Sequence, residues 1–106
     1  MALPDHNYIA RLQNAIRELH HCESKYIESV TVSGPFLFFQ KGPVEDSEVA
    51  VFEISDNHQA KRAYAWSDRA GHNTRYVVVL EIPPVTSART AFEAAIAAEI
   101  VNRNLH

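Results

Sequence analysis

Ile9, Leu12, Ile16 and Leu19 recur at spacings of three and four, the interval that gathers side chains onto one face of a helix. Pro4 and Asp5 stand just ahead of them as start signals, so the pattern predicts an amphipathic helix over residues 5 to about 21. The period then shortens. KYIESVTV at 25–32 is rich in β-branched residues and ends at the turn-forming SGP of 33–35. FLFF at 36–39 reads as a short strand or a loop folded onto the core, and KGPVEDS at 41–47 breaks regular structure. EVAVFEI at 48–54, AKRAYAW at 60–66 and TRYVVVLEI at 74–82 read as three further strands. SDNHQ and SDRAGHN look like the turns between them, which predicts an antiparallel meander. After Pro83 and Pro84, Thr86 or Ser87 caps a helix made of strong helix formers, ARTAFEAAIAAEIVN, with Phe92, Ile96 and Ile100 as its apolar stripe.

Helix, strands, helix in one chain of 106 residues predicts a single α+β domain spanning 1–106. Its expected form is two-layered, an antiparallel sheet of about four strands with the N-terminal and C-terminal helices packed mainly on one face. Alternation assigns the faces. Ala50, Phe52, Ile54, Ala63, Ala65, Tyr76, Val78 and Leu80 share one side, which the alanine-rich last helix could approach closely. Val49, Val51, Arg62, Tyr64, Trp66, Arg75, Val77 and Val79 share the other, with Glu53 and Glu81 among them. A sheet face that apolar is seldom left in water, so it calls for a cover. The candidates are FLFF, a second copy of the chain or another protein, or a small molecule.

Composition narrows the classes. Hydrophobic residues at 46% and charged residues at 22% are ordinary for a soluble globular domain. A formal charge of -3 supplies no long-range attraction for phosphate backbones, which disfavours nucleic acid as a partner. No run approaches the roughly 18 apolar residues of a membrane span, and the N-terminus has no leader-like basic and apolar segments. The single cysteine, Cys22, fits a reducing compartment, and the expected setting is cytoplasmic.

The chemistry-bearing residues are sparse. HHCE at 20–23 gathers metal-capable groups, but four consecutive side chains cannot all converge on one ion. The end of the first helix explains them better, with histidines at the negative pole of its dipole and Cys22 as a small core residue. No metal site and no cofactor is expected. His58 and His72 lie in loops at opposite ends of the third strand, too far apart to act together. No GxSxG, HExxH, P-loop or GxGxxG pattern occurs, so nothing positive supports an enzyme and no catalytic residue is named.

The element order, with SGP after the first strand and SARTAFEAAIAAEIV near the end, resembles the double-stranded RNA-binding domain at the two ends of the chain. That resemblance would imply RNA binding, yet the lysine cluster of that family at the start of the last helix is replaced here by Arg89 alone. The sequence therefore predicts a non-enzymatic interaction module, self-associating as a homodimer or binding a protein partner through the aromatic sheet face. Its binding residues would be Arg62, Tyr64, Trp66, Arg75 and Val77, with His58 and His72 flanking them. The alternatives are a small-molecule binder or enzyme with a cleft on that face, and a nucleic-acid-binding domain using Lys61, Arg62, Arg69 and Arg75.

Overall fold

A computed structural model describes residues 6–32, 47–70 and 73–104. Helix α1 (His6–His20) leads into strands β1 (Ser24–Val32), β2 (Ser47–Ile54), β3 (Arg62–Ala70) and β4 (Asn73–Leu80), and helix α2 (Ala88–Asn104) follows. The strands form one antiparallel sheet in the order β1-β2-β3-β4. This is the α+β fold the sequence predicts, with the strands as a meander. FLFF and KGPVED lie outside the described residues, as do His72 and the helix-start residues Pro4 and Asp5, while Ser47 already belongs to β2.

Local chemistry sets the ends of the elements. At the C-terminus of α1, His21 takes a left-handed φ of 56° and its amide donates to the Arg17 carbonyl at 2.9 Å, closing the last turn. At the start of α2, the Ser87 Oγ accepts from the Thr90 amide at 3.2 Å while the Thr90 Oγ1 accepts from the Ser87 amide at 2.9 Å, a reciprocal cap. Between β2 and β3 the Asn57 side-chain oxygen accepts from the amides of Gln59 and Ala60 at 2.8 and 2.9 Å. The third strand runs further than its sequence suggests. Ser67 to Ala70, part of the turn-like SDRAGHN, pair with Tyr76 to Asn73.

The sheet has an apolar core on each side. Leu12 and Ile16 of α1 are buried against Ala50, Phe52, Ala63 and Ala65. Val85, Ala88 and Ala91 are buried against Val49, Val51, Tyr64 and Trp66 on the opposite side. Here the expected placement is corrected: the helices do not share a face. The smooth patch of Ala63 and Ala65 receives the larger side chains of α1, while the alanines of α2 come down on the face that carries the bulky rings. Small residues meet large ones on both sides, which is how interiors fill without voids. Val85, drawn under the second face just after the Pro83–Pro84 turn, commits α2 to that side.

Strand β1 serves both cores through one extra residue. Tyr26 pairs with Phe52 and Glu28 with Val51, so Ile27 has no opposite number and forms a bulge. The alternation changes phase there. Tyr26 joins the α1 core, its ring edge-on to Phe52 at 5.8 Å, whereas Val30 and Val32 join the α2 core. Ile27 itself is 39% exposed.

Phe52 is fully buried at the centre of the α1 core. Phe52→Ala should cost about 3–5 kcal/mol in urea unfolding, while Leu19→Ala, at a half-exposed helix position, should change stability by less than about 0.5 kcal/mol.

Candidate functional site

Tyr64 and Trp66, the centre of the sequence-predicted docking face, are each only 3% exposed. Their cover is α2: the Phe92 ring meets the Trp66 indole edge-on with centroids 5.1 Å apart. Helix α2 covers most of this aromatic face, so it is not the open docking surface expected, although the Trp66 indole still borders a groove beside β4. Of the remaining expected residues, Arg75 and Val77 line the same groove as Trp66, whereas Arg62 and His58 lie apart from it. Arg62 is exposed at the start of β3 opposite Glu53, and Arg75 is exposed near the start of β4 opposite Asp68. Val77 is half-buried, and His58 is exposed in the β2–β3 connection. The cations of the nucleic-acid alternative are likewise divided, since Lys61 and Arg62 lie at the opposite end of the sheet from Arg75.

The buried Tyr64 hydroxyl donates to the Glu81 Oε2 across the β3–β4 pair. Loss of water around the phenol, followed by the hydrogen bond and the negative charge of Glu81, pushes its pKa up to about 12, with Arg62 opposing the shift. The phenol stays neutral and acts as a fixed donor that holds Glu81 at the end of the sheet.

The HHCE segment does not converge. His20 ends α1, His21 is the capping residue, Cys22 is buried in the α1 core, and Glu23 is exposed and paired with Arg17 at 2.9 Å. Burial and the nearby carboxylates of Asp56 and Glu23 raise the Cys22 pKa, the reverse of what a nucleophilic thiol requires. Among the described residues, no group of three His, Cys, Asp or Glu side chains is placed to hold a metal ion.

What the fold leaves open is the outer edge of β4. Among the described residues no strand pairs beyond it. A groove of about 760 Å³ runs along this edge and wraps around it, touching Val77 and Val79 on one side of the strand and Val78 and Leu80 on the other. Helix α2 begins near Val30, Val32 and Val51 and then passes alongside β4, where Phe92 and Ile96 form the groove wall. His20, Gln59 and Arg75 give it a polar rim. Burial lowers the pKa of His20, helped by the neighbouring His21, so the rim carries less positive charge than its composition suggests.

Val78, Leu80, Phe92 and Ile96 are thus the groove residues missed by a reading that sought a sheet face. The signal was present in YVVVL at 76–80, apolar on both faces at the end of the meander and free of the Lys or Pro that usually guards an edge.

No protein-family model matches this chain, and neither a characterised protein nor a solved structure is detectably similar to it.

The Tyr64 bond predicts a definite alkaline behaviour. A phenol whose pKa is higher folded than unfolded contributes stability below about pH 10, and that contribution is lost as pH rises toward about 12. In a titration of tyrosinate absorbance, one of the four tyrosines should ionise late. Glu81→Gln should bring that step down without restoring the ordinary value, because burial is the largest cause.

Proposed function

We propose that this protein is a small non-enzymatic interaction module that self-associates, and that its contact surface is the β4 edge with the adjoining end of α2. One observation carries this reading: a strand apolar on both faces borders the groove, and no strand among the described residues pairs with its outer side. Such an edge is a template for another chain, and natural proteins leave one open mainly where something is meant to dock. The groove residues are chiefly valines, alanines, Leu80, Ile82, Phe92 and Ile96, the composition of a contact driven by removing apolar surface from water. A homodimer is the form we favour, since the edge is compatible with a second copy of itself. A cytoplasmic setting belongs to the same proposal, in keeping with the unpaired, buried thiol of Cys22. No helix among the described residues is long and apolar enough to cross a membrane.

The groove volume favours a second reading, a small apolar molecule, because about 760 Å³ lies in the usual range of ligand pockets. Ile96→Glu separates the two. Measured by sedimentation equilibrium, the unaltered chain should be dimeric and Ile96→Glu should weaken association at least tenfold, while Ile27→Ser on the bulge should leave the mass unchanged. A chain that is monomeric throughout, but loses binding of an apolar fluorescent probe on Ile96→Glu, would replace self-association with ligand binding.

A further inference from the structure

Resting on the self-association reading, we propose the geometry of the contact: β4 of two copies pairs antiparallel about a twofold axis at Val78, so that Arg75 of each copy faces Glu81 of the partner subunit.

The backbone decides which residues can take part. The Glu81 amide donates to the Arg62 carbonyl at 2.9 Å, which makes Arg62 and Glu81 a hydrogen-bonded pair. Antiparallel ladders alternate, so Tyr64 with Val79 and Trp66 with Val77 are hydrogen-bonded pairs as well. The backbone groups of Thr74, Tyr76 and Val78 therefore point away from β3 toward the open side. A second strand has to offer its own outward set to this one, which restricts self-pairing near the middle of β4 to registers centred on Val77, Val78 or Val79.

Charge chooses among the three. Centring on Val77 sets Arg75 against Val79 and Glu81 against Asn73; centring on Val79 sets Glu81 against Val77 and Arg75 against Pro83. Centring on Val78 alone sets Arg75 against Glu81, and it does so twice, once at each end. Between those ends it matches Tyr76 with Leu80 on the α1 side and Val77 with Val79 on the α2 side, so apolar meets apolar throughout. The Arg75 and Glu81 positions form the non-hydrogen-bonded kind of pair, in which opposite Cα atoms approach to about 4.5 Å and side chains lie closest. Glu81 retains acceptor capacity beside its bond from Tyr64, because an ionised carboxylate accepts at both oxygens. The axis stands perpendicular to the sheet and keeps the faces in register. Both α2 helices then lie on one side of an eight-stranded sheet, with their Ile96 ends flanking the seam of Val77 and Val79.

The test is a charge exchange on the full chain, read as mass by sedimentation equilibrium. Arg75→Glu alone and Glu81→Arg alone should each weaken the dimer at least tenfold, and an equimolar mixture of the two variants should recover a heterodimer, because both contacts are then attractive. The Glu81 variant also loses the acceptor for Tyr64, so a second measurement uses the unaltered protein. In a mixture of labelled and unlabelled copies, an isotope-filtered NOE between the Val77 Hα and the Val79 Hα of the partner subunit is expected. A dimer without that NOE, or one indifferent to charge reversal, would overturn this pairing while leaving self-association standing. An unaltered chain that is monomeric at every concentration, including one whose own residues 33–46 occupy the edge, would overturn both.

Discussion

Everything in this molecule follows from a four-stranded sheet that is apolar on both faces. Phe52, Ala63 and Ala65 on one side, and Val49, Val51, Tyr64 and Trp66 on the other, must all leave water. The two helices divide the task, α1 on the first side and α2 on the second. Each large aliphatic or aromatic side chain so buried contributes about 1.5–3 kcal/mol, offset in large part by the entropy of ordering the chain. One helix cannot cover four strands evenly, however. Helix α2 begins over β1 and β2 and places Phe92 and Ile96 beside β4, where Tyr76 to Leu80 remain half-buried.

The bulge at Ile27 makes that division possible on the opposite edge. A strand of strict alternation would send Tyr26, Val30 and Val32 to one side; the inserted residue sends Tyr26 to the α1 core and the valines to the α2 core. Strand β1 therefore has Tyr26, Val30 and Val32 absorbed by the two cores, with Ile27 left exposed on the bulge, and the bulge disturbs the regular edge another strand would need. Strand β4 has no such device. It is regular from Asn73 to Leu80, half-buried rather than buried along Tyr76 to Leu80, and apolar on both sides. The two edges of one sheet thus differ, and that difference is why the proposed contact is placed at β4 rather than β1.

Much of this was legible in the sequence. The period of α1, the alternation of β2 and the turn chemistry of Asn57 and Ser87 each act locally, so local pattern reveals them. The double-sided greasiness of the meander was legible too, and correctly demanded a cover for Tyr64 and Trp66. What local pattern could not reveal is which helix supplies that cover. Alanines in α2 suit either a smooth face or one bearing large rings, and only the tertiary fit of Leu12 and Ile16 to Ala63 and Ala65 decides. The Ile27 bulge was hidden because an extra residue in a β-branched strand leaves no compositional mark. Ser67 to Ala70 read as a turn because their polar side chains outweighed the pairing that Thr74 to Tyr76 impose on them. The candidate site shifted from the face to the edge for the same reason: a face is visible in alternation, whereas a groove beside an edge strand depends on how the helices pack, and of the expected residues Trp66, Arg75 and Val77 line it.

Amide hydrogen exchange, followed residue by residue at high and low protein concentration, tests the central claim most directly. The amides of Val77 and Val79 face β3 and should exchange slowly at both concentrations, while those of Tyr76 and Val78 should be slow in concentrated solution and fast on dilution. Tyr76 and Val78 amides that exchange at one concentration-independent rate, fast or slow, would contradict the account.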